Sequence, residues 1–201
     1  MGYSKEIQRY LTSAGYQVTF VKDTAVTVKF LATELGNYDL IIWRTNIYSW
    51  MHLTYWYVGE HSNKATLQLY AADVAAGRLD NTNGILGVNE GFFRTHYPAG
   101  SLRNVKLFMI VASSSFAIAI NLINAGVRSV IDYYGSFSLT FDMIDYTTWL
   151  MIRYLAAGNT VRYTVQEVLF WFQGARVRNP LDSRYVPSIW YMGDGALAIK
   201  L

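Results

Sequence analysis

The sequence predicts an α/β domain built as a three-layer sandwich, a mainly parallel sheet with helices on both faces. Three observations carry this expectation. Strand-like and helix-like segments alternate along most of the chain. Two strand candidates, Leu40-Ile41-Ile42-Trp43 and residues 105–112, contain runs as apolar as parallel strands buried on both faces. Hydrophobic residues make up 52% of the 201 residues and charged ones 15%, so the chain can bury a large core without a covalent or metal staple.

The first helix is expected over residues 4–14, capped by Ser4, with Ile7, Tyr10 and Leu11 on one face and Gly15 as the stop. Residues 16–21 are rich in β-branched and aromatic side chains and read as a strand. Residues 24–35 read as a second helix, with Val28, Leu31 and Leu35 at helical spacing. Residues 39–44 form the first buried strand. The stretch from about 46 to 100 looks like an irregular insertion, with a strand at 54–58 and a strand or helix at 67–76. A turn cluster follows at Asp80-Asn81-Thr82-Asn83-Gly84, then a short helix at 92–96 before Pro98.

Regular alternation then resumes. A strand at 105–112 leads to a helix at 116–125 ended by Gly126, and a strand at 127–132 to a long helix at 138–157 stopped by Gly158. Thr160 caps a further helix carrying Val161, Val165, Val168, Leu169 and Phe172 on one face, with Gly174 after it. The tail from Pro180 to residue 201 reads as irregular. There is no internal repeat, and residues 1–201 are taken as one domain.

Several function classes fall away. The absence of cysteine removes disulfides, thiolate metal sites and cysteine nucleophiles. His52, His61 and His96 lack the spacing of a zinc site, so no metal is implied. No Gly-rich phosphate loop is present, and no cofactor is implied. Net charge is only +3 with no basic run, which argues against a nucleic-acid partner. Residues 107–127 carry no charge, long enough for a membrane span. Ser113-Ser114-Ser115, Asn121, Asn124 and Gly126 interrupt that run, so a strand, a turn and a buried helix are expected instead of a transmembrane segment. Met1-Gly2-Tyr3-Ser4 leads straight into a polar helix, without a signal-peptide pattern.

Sixteen Tyr, ten Phe and six Trp on so few charges are the unusual feature. Such a surface suits a protein outside the cell or at its surface, or one covered by copies of itself. Tyr48-Ser49-Trp50, Tyr55-Trp56-Tyr57 and Trp190-Tyr191 lie outside the strongest core segments. They are expected to anchor a homo-oligomer or a protein partner.

Two strand ends stand out: Ile41-Ile42-Trp43-Arg44-Thr45-Asn46, and Phe108-Met109-Ile110-Val111-Ala112-Ser113-Ser114-Ser115. The second continues into a helix, then Ala125-Gly126-Val127-Arg128-Ser129-Val130-Ile131, then Tyr134-Gly135-Ser136-Phe137-Ser138. This ordered series, from about residue 16 to 167, resembles the caspase-like (clan CD) cysteine peptidases and their CHAT-type relatives. The resemblance implies a caspase-like sheet. One strand end, in an Arg-x-His-like motif, presents the general base, and the next, in Ala-Cys or Gly-Cys, presents the nucleophile. The Gly-Ser-x-Ser segment borders the substrate pocket. That sheet usually has a further strand before the helix that opens this chain.

Residue by residue, the base position falls on Asn46 and the nucleophile position on Ser113. Asn cannot titrate, and a Ser hydroxyl without a base is a very weak nucleophile. The expectation is therefore a pseudoenzyme that acts by protein binding or self-assembly. The alternatives are a hydrolase using Ser113 with His52 or a partner's residue as base, and a purely structural subunit of an extracellular assembly. The candidate groove comprises Arg44, Asn46, Ser113, Ser114, Asp132, Tyr134 and Ser136. Arg44, the one charge in a buried run, is expected to pair with a carboxylate in preference to a substrate.

Overall fold

The computed structural model describes residues 2–50, 53–113, 116–134, 141–178 and 188–199. The expected α/β architecture is present: a mixed sheet flanked by helices. Helix α1 (Gly2–Ser13) starts earlier than Ser4 and ends at Gly15, whose φ of +87° places it in the left-handed region that favours glycine. Helix α2 (Val28–Thr33) is shorter than expected. Thr27 is its cap, its side chain accepting from Phe30 N–H at 3.0 Å, and single 3₁₀ turns flank the helix at Asp23–Ala25 and Leu35–Asn37.

Strand β1 (Leu40–Arg44) lies parallel to β6 (Leu107–Ser113), which lies parallel to β7 (Ser129–Tyr134). Strand β8 (Ser188–Gly193) closes the sheet antiparallel to β7, giving the order β1-β6-β7-β8. The expected irregular tail is thus corrected. Ser188–Gly193 completes the main sheet, and Leu197 and Ile199 beyond it are buried. Burying Ile189 and pairing its neighbours with β7 satisfies a segment whose Ile-Trp-Tyr run has strand character.

The irregular insertion is corrected too. Strands β2 (Ile47–Trp50), β3 (Leu53–His61), β4 (Leu79–Thr82) and β5 (Ile85–Val88) form a second, antiparallel sheet in the order β2-β3-β5-β4. Asp80, Asn81 and Thr82 belong to β4, and the turn is Asn83-Gly84, with φ of +55° and +78°. Two successive left-handed residues match the twist of a two-residue hairpin. The ambiguous stretch at 67–76 is helical, in α3 (Lys64–Leu69) and α4 (Ala71–Ala75); α5 (Glu90–His96) follows β5.

Residues 16–21 are not a strand. They run irregularly, with Tyr16 and Val18 packed against the core beside Leu40 and Ile42. Strand propensity is realised only where a ladder partner exists, and among the described residues β1 pairs with β6 alone.

The alternation of side chains along β6 divides the interior in two. Phe108, Ile110 and Ala112 face a first core shared with α2, α5, helix α6 (Phe116–Asn124) and the inner side of the second sheet. Leu107, Met109 and Val111 face a second core under α1, helix α7 (Phe141–Ala156) and helix α8 (Val161–Arg178).

The described rings of the aromatic clusters expected on an interface pack within the chain's own fold, and the Trp50 side chain lies outside the described residues. Trp56 is buried and Tyr55 nearly so. Tyr48 stacks on Tyr55 at 5.2 Å and leans on Tyr57 at 4.8 Å between ring centres. Trp190 packs against the first core, and the Tyr191 hydroxyl accepts a bond from Arg162 Nε at 2.9 Å.

Candidate functional site

The carboxyl ends of β1, β6 and β7 lie side by side, where an open α/β sheet offers a crevice. Leu40 pairs with Leu107 and Arg44 with Val111, a constant register. The paired register ends at Arg44 and Val111, two residues before Asn46 and Ser113. Backbone bonds hold the junction. Thr45 N–H donates to the Val111 carbonyl at 3.3 Å, continuing the β1–β6 ladder. Tyr57 N–H donates to the Asn46 carbonyl at 2.9 Å, and the Thr45 hydroxyl donates to the Tyr57 carbonyl at 2.6 Å. Asn46 therefore sits where the chain leaves the main sheet for the second one. Its side chain is exposed.

Between Ile110 and Ser113 the β6–β7 register shifts, with Ile110 opposite Asp132 and Ser113 opposite Tyr133. Such an irregularity re-aims the end of a strand. The backbone of Ser113 ends β6 and that of Tyr134 ends β7. Ser114, Ser136 and His52 lie outside the described residues.

Arg44 and Asp132 are directed to opposite faces. Arg44 shares its face with Leu40 and Ile42 and reaches α7, its Nε donating to Asp145 Oδ1 at 2.6 Å. The expected carboxylate pairing is present, and it draws the guanidinium to the second-core side. Asp132 shares its face with Val130 on the first-core side and is 1% exposed. Arg44 is thus directed away from Asp132.

Trp190, expected from the sequence in an interface cluster, instead stands beside these strand ends. It lies opposite Asp132 in the β7–β8 ladder and stacks on Phe116 at 4.9 Å between ring centres. Phe116, the first residue of α6, is 48% exposed, so the pair walls this end of the sheet with an accessible ring. The Ile-Trp-Tyr run is the signal that could have placed it on a strand, masked by the irregular look of the stretch that begins at Pro180.

The remaining described histidines are elsewhere. His61 ends β3 and is exposed. His96 Nε2 lies 3.1 Å from Asp73 Oδ2, whose other oxygen accepts from Arg78 Nε at 2.6 Å. That cluster ties α4 to α5. Among the described residues no group of three or more His, Asp or Glu side chains could hold a metal ion.

Beneath the crevice, burial pushes the Tyr133 hydroxyl well above its ordinary range, partly offset by Thr148 Oγ1 at 2.7 Å. Tyr133 is thus a neutral hydrogen-bonding member of the second core. No family model matches the chain, and no curated protein sequence matches it.

Proposed function

We propose that the chain is a caspase-like pseudopeptidase, a protein that keeps the crevice of a peptidase fold and acts by binding other polypeptides. The observation that supports this reading is the parallel β1–β6 register, whose last pair, Arg44 and Val111, lies two residues before Asn46 on one strand and Ser113 on the other. The residue types supply the rest. An amide takes up no proton near neutral pH, so nothing at position 46 can activate a hydroxyl at 113. Without a base the acyl-enzyme route is closed, and the crevice retains only binding. Phe116 and Trp190 offer an aromatic wall for such binding. Self-assembly is the less supported mode, because the rings that suggested it pack within the fold.

Purified protein is expected to show no turnover of Arg-, Lys- or Asp-directed peptide substrates above a blank. Turnover abolished by Ser113→Ala would overturn the reading. The alignment itself is tested by thiol ionisation. A Cys at 113 beside a His at 46 gains thiolate character at low pH. The Ser113→Cys, Asn46→His double variant is expected to alkylate at pH 6 at least ten-fold faster than Ser113→Cys alone. Equal rates mean that the two positions are not neighbours, and the caspase-like assignment falls.

A further inference from the structure

We propose that the outer surface of the α1–α7–α8 layer docks on an anionic lipid bilayer, lying on it without spanning it. The inference is independent of the crevice.

The layer covers the second core with one face of each helix. Its other side is unusually aromatic. Phe170 is 71% exposed, Trp171 46% and Tyr163 45%. Tyr163 and Phe170 are seven residues apart on α8, two helical turns, so they share a face. Trp171 meets Tyr146 of α7 in a tilted contact at 5.6 Å between ring centres, and Tyr146 meets Trp149 likewise at 5.5 Å. The exposed rings of this layer are therefore those of α8, and Trp171 continues through ring contacts to Tyr146 and Trp149 of α7, which pack against the second core.

Charge selects the occupant. Among the side chains of these three helices whose exposure is described, every exposed charged one is basic: Lys5, Arg9, Arg153 and Arg162, the last also bonded to the Tyr191 hydroxyl. Of the acidic side chains whose surroundings are described, Glu6, Asp145 and Glu167 are half-buried, and Asp145 is already engaged by Arg44; the Asp142 side chain lies outside the described ones. Arg153 lies over the Trp149 ring, 5.7 Å from its centre. A guanidinium beside amphipathic rings is the chemistry of a bilayer interface. Trp and Tyr sit at headgroup depth, and Arg and Lys reach anionic headgroups. A protein partner would be recognised through shape and paired hydrogen bonds as well. A bilayer needs only exposed rings with positive charge around them. No described helix is long and apolar enough to cross a membrane, which fits docking on the surface.

The full chain is mixed with phosphatidylcholine vesicles, with and without phosphatidylglycerol, at low salt. Co-flotation and tryptophan emission are read. Expected are binding to the anionic vesicles with blue-shifted emission, weaker binding to neutral ones, and loss of binding as salt is raised. Phe170→Ser with Trp171→Ser is expected to weaken binding at least ten-fold. Lys5→Gln with Arg9→Gln is expected to weaken it several-fold and flatten the salt dependence. Failure to float with anionic vesicles overturns the proposal, as does binding that neither pair of substitutions alters. Capture by a soluble polyanion without vesicle binding also overturns it, and assigns the surface to an acidic macromolecule.

Discussion

The two faces of the main sheet treat the same kind of side chain in opposite ways. On the first-core side Trp43, Trp56, Phe92 and Phe93 are enclosed between the main sheet, its helices and the second sheet. On the second-core side Leu, Val, Ile and Met fill most of the interior, the α7 rings Tyr146, Trp149 and Tyr154 pack against it half-buried, and Tyr163, Phe170 and Trp171 of α8 are left exposed. A second sheet laid against one face gives that side extra interior to receive large rings. Three helices alone do not. Aromatic content by itself therefore does not announce an interface; the number of layers over each face decides which rings are left outside.

That contrast can be broken from either side. The largest expected effect is Trp56→Ala, which empties a site that is 1% exposed and should cost about 3–5 kcal/mol of stability. Phe170→Ser, on the opposite layer, should stay within about 0.5 kcal/mol. Urea unfolding of both variants measures the difference. Similar losses would mean that α8 is covered in solution.

Alkali sharpens the comparison next. Tyr97 donates to the Leu31 carbonyl at 2.6 Å inside the first core, and burial pushes its hydroxyl up to about 12. Below pH 10 the folded and unfolded chains both hold the proton. Between pH 10 and 12 the unfolded chain loses it while the folded one keeps it, so stability falls as pH rises. A displacement of two units corresponds to about 3 kcal/mol. Tyr97→Phe should be less stable at neutral pH and should lose stability less steeply over that range. An unchanged slope would leave Tyr97 without a part in it.

A smaller effect belongs to the outer side of the second sheet. A Cβ at Gly87 would lie 2.8 Å from Tyr48 Cε1 and 3.1 Å from Tyr55 Cβ. Gly87→Ala should cost about 1–3 kcal/mol through overpacking, and most of that cost should vanish in a Tyr48→Ala background. Additive losses would show that the ring stack is not what needs the glycine. The smallest effect is Arg44→Ala. Its pair with Asp145 is half exposed on the arginine side and should contribute under about 1 kcal/mol, measured by a double-mutant cycle.

The sequence by itself determined what local pattern and composition encode. The continuous apolar runs at Leu40–Arg44 and Leu107–Ser113 declare parallel strands, and the glycines at 15, 126 and 158 mark helix ends in the left-handed region. The proposed reading of positions 46 and 113 draws on side-chain chemistry that the sequence alone supplies, since an amide takes up no proton near neutral pH. Only the tertiary structure decided who neighbours whom. Residues 16–21 and 188–193 have similar β-branched and aromatic character. Only the second is a strand, because β7 offers it an edge, whereas the first packs on the core without a ladder. The pairing of Arg44 with Asp145, 101 residues later, and of Trp190 with Phe116 likewise depends on packing. A period along the chain fixes which face a side chain takes. It carries no information on what will stand opposite, since that is settled by burial summed over the whole molecule.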